Sequence, residues 1–202
     1  MIICCKILEL MKSTDLPLQP FASKTKWAEW LAKQHDKSDG VWLKFSKKDS
    51  GIPSVTYEEA IDVALCYGWI DGQGKGFDDR YWLQKFTPRR PKSIWSKINT
   101  EKAERLIASG EMKPAGLRAI EAAKADGRWE AAYASQKNMT VPEDFQAALD
   151  KNKIAKAAFA QLKSAERYSF LFRIHNAKKP ETRAKRIQQF VGMLEQGEKI
   201  HS

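Results

Sequence analysis

Cysteine is scarce in this sequence, and its placement excludes several classes of small protein. Only three cysteines occur among 202 residues: Cys4 and Cys5 are adjacent near the N-terminus, and Cys66 lies on the apolar side of a predicted helix. No CxxC pair is present, and an odd count does not build a disulfide framework. A reducing compartment fits this cysteine usage best, so we expect a cytoplasmic protein.

Long apolar runs are also missing. No stretch approaches the roughly 20 apolar residues that a membrane-spanning helix requires, so no transmembrane segment is predicted. The N-terminal sequence MIICCKILELMK lacks the basic leading segment, the long apolar stretch and the small-residue cleavage site of an export signal. We expect residues 1–23 to form an N-terminal extension, with Met11 as the natural start.

Histidines are few and isolated, which argues against a metal centre. His35, His175 and His201 form neither an HxxxH nor an HxH pair. Cys66 has no histidine near it in the sequence, although the partners of a Cys-His enzyme meet only in the fold. The sequence therefore predicts no metal, no cofactor and no identifiable catalytic residue.

A glycine-rich turn is present, but its spacing is not that of a phosphate-binding loop. Gly72, Gly74 and Gly76 are spaced by two, unlike GxGxxG or GxxxxGK[ST]. A phosphate-binding loop leads into a helix N-terminus, whereas a strand is predicted to follow here. We interpret the glycines as the long, mobile tip of a hairpin.

Positive charge is in excess and unevenly placed. The net charge is +10, yet residues 1–79 and 106–150 are each slightly acidic. Residues 80–105 carry eight basic and two acidic side chains, and residues 151–202 carry twelve and four. Such segments favour anionic partners, so the candidate partners are a small anionic ligand and nucleic acid.

The first half of the chain begins with a helical pattern and a strand pattern. Trp27, Trp30 and Leu31 follow each other at helical spacing and predict an amphipathic helix over Lys24–His35. Val41–Ser46 alternates, with Val41, Leu43 and Phe45 on one face and Trp42, Lys44 and Ser46 on the other, which predicts a strand.

A second helix and two further strands follow. Thr56 and Glu59 form a capping box at the start of the helix, and Gly68 ends it. Strand patterns begin at Trp69 and at Tyr81. We therefore predict an α+β fold with a small three-stranded, mainly antiparallel sheet flanked by helices.

The remainder of the chain is helical. Pro114 suits the first position of a helix that ends before Gly127. The segment Asn138–Glu143 is predicted to be a linker, and beyond it lie three short helices and a longer one that starts at Pro180. The predicted domains are an α+β domain at residues 24–138 and an all-helical C-terminal module at residues 139–202.

Four longer motifs resemble a known family. They are ALCYGWIDG at Ala64–Gly72, FTPRRPKSIWSKIN at Phe86–Asn99, GEMKPAGLRAIEAAKADGRW at Gly110–Trp129 and AKKPETRAKRI at Ala177–Ile187. Together they resemble the YdeI/OmpD-associated family, whose members are also called bacteriocin-protection proteins. The resemblance runs from about Val41 to Gly197, and the family's familiar C-terminal module would correspond to about Val141–Gly197.

The resemblance implies a role in protection against cationic antimicrobial peptides or bacteriocins, in association with a porin. It carries over no catalytic residues, because the family has no agreed catalytic mechanism. Members have been described as periplasmic, whereas the N-terminal sequence leads us to expect a cytoplasmic protein.

The segment PRRPKSIWSKIN holds the most distinctive chemistry. Pro88 and Pro91 fix the backbone on both sides of an arginine pair, so the two guanidinium groups leave in set directions. Arginine forks, an indole face and small hydroxyls at the start of a helix suit an anionic aromatic ligand. Alternatively, Trp95 is a core residue and the arginines pair with acids. The predicted ligand-binding residues are Asp71, Arg89, Arg90, Trp95, Ser96 and Asn99.

Asp71 itself has three interpretations. It is a candidate general base for an enzyme. Beside Arg89 or Arg90 it would instead stay ionised, with a lowered pKa, as half of a structural ion pair. The third interpretation is that its side chain caps the turn after the apolar Trp-Ile pair.

A second basic surface is predicted near the C-terminus. On a helix from Pro180, the side chains of Arg183, Lys185 and Arg186 spread over the side away from the apolar stripe. They are candidates for phosphate contacts with nucleic acid or another anion, although a charge run of this kind is usually a solvated face. No helix-turn-helix, zinc-finger or RNA-recognition signature supports base readout.

Taken together, these features predict a non-enzymatic binding or stress-protection protein that holds an anionic partner in a basic-aromatic pocket. Two alternatives stay open. One is an enzyme acting on a small anionic substrate, with Asp71 near the arginine pair. The other is a sequence-neutral nucleic-acid binder that uses residues 151–202.

Overall fold

The computed structural model describes residues 16–200, and these form two compact units. The first unit contains the described residues up to Ser93 together with Asn99–Glu130, and the second contains Ile94–Ile98 and the described residues from Ala131 onward. The predicted domain boundary after residue 138 stays a prediction. Four features of the sequence lie outside the described residues: Cys4, Cys5, Met11 and His201.

The first unit combines four strands with four helices. The strands are β1 (Leu18–Pro20), β2 (Val41–Ser46), β3 (Trp69–Gly76) and β4 (Tyr81–Pro88). The helices are α1 (Lys24–Gln34), α2 (Tyr57–Cys66), α3 (Lys97–Ala108, whose first two residues belong to the second unit) and α4 (Pro114–Ala125), with a short 3-10 turn at Lys48–Ser50. The predicted α+β class is therefore confirmed.

The sheet is mixed and has the strand order β1-β2-β4-β3. Strands β2, β4 and β3 pair antiparallel, whereas β1 pairs parallel with β2. The predicted three-stranded, mainly antiparallel sheet is thus wrong in its strand number and in its pairing. Strand β1 has only three residues and ends in Pro20, so it is too short to show an alternating pattern.

Aromatic packing holds α1 and α2 against one face of this sheet. Trp27 and Trp69 are fully buried, and the ring of Trp27 meets that of Phe86 edge to face at 5.6 Å. The indole N–H of Trp27 donates to the carbonyl of Ala60, and that of Trp69 donates to the carbonyl of His35. Both indoles therefore bury large apolar areas without leaving a polar atom unsatisfied.

Two predicted signals that position α2 are confirmed. The hydroxyl of Thr56 accepts from the backbone N–H of Glu59, whose carboxylate in turn accepts from the backbone N–H of Thr56. Gly68 ends the helix with a φ of 72°, a left-handed conformation that favours glycine. A substituent at Gly68 would also lie 2.9 Å from the carbonyl oxygen of Ala115.

The glycine-rich segment is a strand rather than a hairpin tip, which corrects the sequence interpretation. Strand β3 continues through Gly76, with a bulge between Asp71 and Gly74. A Cβ atom at Gly74 would lie 2.7 Å from the amide oxygen of Gln84, whose nitrogen donates to the carbonyl of Gly72 at 2.8 Å. Gly74 therefore leaves room for a buried glutamine to bond across the bulge.

The second unit is helical, as predicted. Its complete helices are α5 (Glu143–Asp150), α6 (Lys153–Gln161), α7 (Ser164–His175) and α8 (Pro180–Glu195). Phe145, Phe159, Phe170 and Phe190 form a chain of edge-to-face contacts in its core. The short segment 94–98 completes this unit, because Ser96 forms a parallel bridge with Tyr133 and the side chain of Trp95 is buried.

Candidate anion-binding surface

The sheet of the first unit has two chemically different faces. Along β2, the side chains of Val41, Leu43 and Phe45 are buried, whereas Trp42 and Lys44 are half-exposed. Neighbouring residues in paired strands point to the same side, so the pairing extends this division across the sheet. We call the side opposite the buried residues the outer face. Its side chains are those of Leu18, Pro20, Trp42, Lys44, Ser46, Ile70, Lys75, Tyr81, Leu83, Lys85 and Thr87.

Leu83 lies at the centre of the outer face, between two lysines. It pairs with Lys44 on one neighbouring strand and with Lys75 on the other. The leucine is only 3% exposed. The ammonium group of Lys75 lies 4.4 Å from the ring centroid of Trp42, two strands away, so its alkyl stem crosses β4. Long lysine stems can cover apolar surface while their charged ends stay in water.

Aromatic rings on this face are in contact with ammonium groups. The Nζ atom of Lys44 lies 3.9 Å from the ring centroid of Tyr81 and 4.8 Å from that of Phe77, at the tip of the hairpin. Together with the Lys75–Trp42 pair, these are cation–π contacts. Such contacts are worth about 0.5–1 kcal/mol at exposed sites, so an anion can compete for these ammonium groups.

Among the described residues, the lysines of the outer face have no carboxylate as an ion-pair partner. In the part of the chain that the structure describes, no ion pair involves Lys44, Lys75 or Lys85. The single carboxylate within the four described strands, that of Asp71, lies on the other side, because it pairs with Phe86. In the described part of the chain, the outer face therefore combines aromatic rings with three lysines that form no ion pair.

Several cations elsewhere in the first unit do have carboxylate partners. Lys24 contacts Glu111 at 2.8 Å, and both Lys102 and Arg105 contact Asp62. Burial alone would raise the pKa of Asp62, but the hydrogen bonds from Arg105 and Lys102 outweigh it and hold that pKa below its ordinary value. What distinguishes the outer-face lysines is that they lie on one side of the sheet beside aromatic rings.

Asp71, one of the predicted site residues, bonds to a tyrosine. Its carboxylate accepts from the hydroxyl of Tyr57 at 2.7 Å. The ring of Tyr57 also lines a cavity of about 300 Å³ that includes the stacked rings of Phe45 and Trp82.

The other predicted ligand-binding residues fall in different units. Arg89 and Arg90 follow β4 in the first unit, where Arg89 is half-buried and Arg90 is exposed. Asn99 belongs to the same unit, whereas Trp95 and Ser96 belong to the second. The side chain of Trp95 is 2% exposed, as the core interpretation expects. The pocket that these residues were predicted to share stays a prediction.

Two of the three predicted C-terminal surface cations hold the second unit together. The guanidinium of Arg183 binds both carboxylate oxygens of Asp144 and donates to the carbonyl of Ile174. Arg186 donates to the carbonyl of Arg173 at 2.6 Å. These bonds satisfy carbonyls near the end of α7. Lys185 is exposed, and its role in binding an anion stays a prediction.

The remaining titratable groups give no sign of a reactive centre. Burial lowers the pKa of His175, with Lys178, Arg183 and Lys97 adding to the effect. Burial raises the pKa of the Cys66 thiol to about 11, so the thiol stays protonated at neutral pH. Among the described residues, no group of three or more His, Cys, Asp or Glu side chains is placed to hold a metal ion.

The sequence contained a signal for the outer face that the site prediction did not use. The alternation Trp42-Lys44-Ser46 already placed an aromatic and a basic residue on one side of a strand. What it did not show is that Lys75, Tyr81 and Lys85 join the same side, since that depends on strand pairing.

Comparisons with known proteins divide the chain into two matched regions. Residues 138–197 match the family model described as Bacteriocin-protection, YdeI or OmpD-Associated, which confirms the suspected resemblance over that range. Residues 19–119, half of the chain, match a model described as Domain of unknown function (DUF8412).

Neither curated proteins nor solved structures gave a significant match. Within the described residues, none of the helices has the length and apolar character needed to cross a membrane. The chain therefore belongs to the family of the DUF8412 model, and it carries a C-terminal module of the bacteriocin-protection, YdeI or OmpD-associated type.

Proposed function

We propose that this protein is a non-enzymatic binding protein with a bacteriocin-protection-like role, and that it holds an anionic partner on the outer face of its sheet. The family match at residues 138–197 supports the general role. The observation that carries the binding proposal is a set of three lysines, Lys44, Lys75 and Lys85, that share one face and have no carboxylate partner within residues 16–200. An anion bound there gains Coulomb energy without first breaking an ion pair.

The sign of the charge indicates how such a protein would protect a cell. A chain with a net charge of +10 repels cationic peptides over distances of about a Debye length. Direct capture of a cationic bacteriocin is therefore disfavoured. Binding to the anionic groups that a cationic peptide would otherwise reach is favoured, because the lysines and the peptide then compete for the same phosphates.

Linear inorganic polyphosphate is an anion without aromatic rings, so its binding tests the role of the lysines alone. We expect wild-type protein to bind polyphosphate in isothermal titration calorimetry. A triple variant, Lys44→Gln, Lys75→Gln and Lys85→Gln, should lose most of this affinity. A matched variant changes three exposed lysines outside the sheet, Lys33, Lys37 and Lys113, to glutamine and so has the same net charge as the triple variant. It should keep the affinity because Lys44, Lys75 and Lys85 are unchanged. Equal losses in both variants would reject the outer face as the site.

Protection in cells tests the physiological part of the proposal. Expression of the wild-type chain in a sensitive bacterium should raise the inhibitory concentration of a cationic bacteriocin. The variant that lacks the outer-face lysines should give no protection, whereas the matched variant should protect like the wild type. Full protection by the outer-face variant at equal expression would show that anion binding on the sheet is not the protective activity.

A further inference from the structure

We propose that the anionic partner is a single-stranded nucleic acid whose bases stack on the outer face of the sheet. This inference rests on the proposed function, because it names the ligand class of the same surface. A phosphate-rich ligand without rings would need only the lysines. The outer face also presents the side chains of Trp42 and Tyr81, and Phe77 beside it is 50% exposed. Single-stranded nucleic acids are bound by this combination of positive charge and stacking rings.

The spacing of the rings suits several successive bases. Tyr81 pairs with Ser46, which lies four residues beyond Trp42 along β2. The two rings are therefore anchored about 13 Å apart along the strand direction, with Lys44 between them. Four-stranded sheets that bind RNA stack about two or three bases in this way.

The cation–π contacts explain how the face can be stable without a ligand and still accept one. Each ring that a base would occupy is covered by a lysine ammonium, Trp42 by Lys75 and Tyr81 by Lys44. When a strand binds, the ammonium group can move to a phosphate and leave the ring for the base. No carboxylate has to be released, because these lysines have none as partners in the described part of the chain.

The chemistry of the face also predicts which nucleic acids are excluded. The hydroxyl of Ser46 donates to the carbonyl of Ile52, so it is engaged within the protein. Few polar groups remain on this face to distinguish one base from another, which favours sequence-neutral stacking. A duplex keeps its bases stacked on each other, so only its phosphates would meet the lysines.

Abasic oligonucleotides separate base stacking from phosphate binding on the unmodified protein. We would measure fluorescence anisotropy with an oligothymidylate of about 12 nucleotides, an abasic strand of equal length and a duplex. The oligothymidylate should bind about five- to a hundredfold more tightly than the abasic strand. Equal affinity for both strands, or for vesicles of an anionic phospholipid, would overturn the stacking inference and leave anion binding intact. Failure of all these ligands and of polyphosphate would overturn both proposals.

A tryptophan variant with a matched control locates the stacking. The Trp42→Leu variant should bind the oligothymidylate at least about fivefold more weakly, with unchanged affinity for the abasic strand. Trp129 provides the control, since Lys124 lies 5.3 Å from its ring centroid in a similar cation–π pair outside the sheet. The Trp129→Leu variant should bind both strands like the wild type. A loss of the same size in Trp129→Leu would contradict the placement on the outer face.

The salt dependence identifies the lysines independently of the bases. For single strands, the logarithm of the affinity falls with the logarithm of salt by about 0.7 per phosphate contact. The variant without Lys44, Lys75 and Lys85 should therefore show a slope smaller by about 2, for the oligothymidylate and the abasic strand alike. An unchanged slope would show that the phosphates are bound elsewhere.

Discussion

Gly116 occupies a position in α4 where a side chain has no room. A Cβ atom there would lie 2.5 Å from the carbonyl oxygen of Cys66 and 2.6 Å from that of Leu65, at the end of α2. Both atoms belong to the backbone, so they cannot turn aside as a flexible side chain could. The close approach of α4 to α2 therefore depends on this glycine.

We predict that Gly116→Ala destabilises the protein by about 1–3 kcal/mol, because the methyl group forces the two helices apart. Gly192 in α8 is the matched control, since a methyl group there would have no neighbouring atom within 4 Å. There alanine should stabilise the helix by about 0.4–1 kcal/mol. Urea denaturation measures the change in the free energy of unfolding for both variants. Changes of the same sign in the two variants would contradict the packing argument.

At the scale of elements, Asp62 connects two helices of the first unit. Its side chain is 14% exposed in α2, and its oxygens accept from Lys102 at 3.0 Å and from Arg105 at 2.6 Å, both in α3. Burial opposes the ionised form, and the two cations more than offset this effect, so the pKa of Asp62 is lowered. The carboxylate therefore stabilises the fold only while it is ionised.

We predict that Asp62→Asn lowers the free energy of unfolding by roughly 1–3 kcal/mol at neutral pH, because charged hydrogen bonds to Lys102 and Arg105 are lost. The pKa of Asp62 in the folded state lies below its unfolded value of about 4. The contribution of Asp62 to the free energy of unfolding is therefore complete above about pH 4. It is lost as the pH falls through the pKa that Asp62 has in the folded state.

Chemical denaturation at a series of pH values measures this difference. The stabilities of wild type and Asp62→Asn should converge below about pH 4. Asp49→Asn is the charge-matched control, because Asp49 is exposed. Its free energy of unfolding should stay within about 0.5 kcal/mol of the wild-type value at every pH. A constant difference between wild type and Asp62→Asn across the whole range would refute the role of ionisation.

Local patterns predicted most of the elements correctly. The alternation at Val41–Ser46, the capping box at Thr56 and the stop at Gly68 all lie where the sequence placed them. Strand β1 was missed because three residues carry too little pattern, and its pairing with β2 is a tertiary contact. The glycines of β3 were assigned to a tip because glycine is rare inside strands. The close approach of Gln84 to Gly74 depends on how β3 and β4 pair, which the sequence pattern did not show.

For the whole molecule, the second unit is built from two separate stretches of the chain. The backbone leaves the first unit after Ser93, contributes Ile94–Ile98 to the second unit and then returns. This segment forms two backbone hydrogen bonds with Tyr133. The N–H of Tyr133 donates to the carbonyl of Trp95, and its carbonyl accepts from the N–H of Lys97. The second unit therefore includes residues that lie more than 30 positions before the rest of it.

We predict that Trp95→Ala destabilises the second unit by about 3–5 kcal/mol, because a fully packed indole leaves a large cavity. Thermal unfolding followed by near-ultraviolet circular dichroism should give a lower melting temperature for Trp95→Ala than for the wild type. The neighbouring residue provides the control: Ile94 is 45% exposed, so Ile94→Ala should cost less than about 1 kcal/mol. A Trp95→Ala variant as stable as the wild type would show that the indole is not part of the core.

Charge counting along the chain does not show which cations lie together on one surface. Lys44 and Lys75 belong to residues 1–79, a segment that is slightly acidic overall. Lys102 and Arg105, from the strongly basic segment, are neutralised by Asp62. A sum over a segment cannot tell which charges share a face, because pairing and burial assign them to different partners.

The sequence by itself determined the fold class, the helices, most of the strands and the family of the C-terminal module, because these depend on local periodicity and on contiguous motifs. Only the tertiary structure decided that Lys44, Lys75 and Lys85 share one face with Trp42 and Tyr81. Alternation within a strand fixes two sides, but hydrogen bonding between strands far apart in sequence decides which sides coincide. The acidic residue of the strands thus lies on one side of the sheet and the lysines on the other.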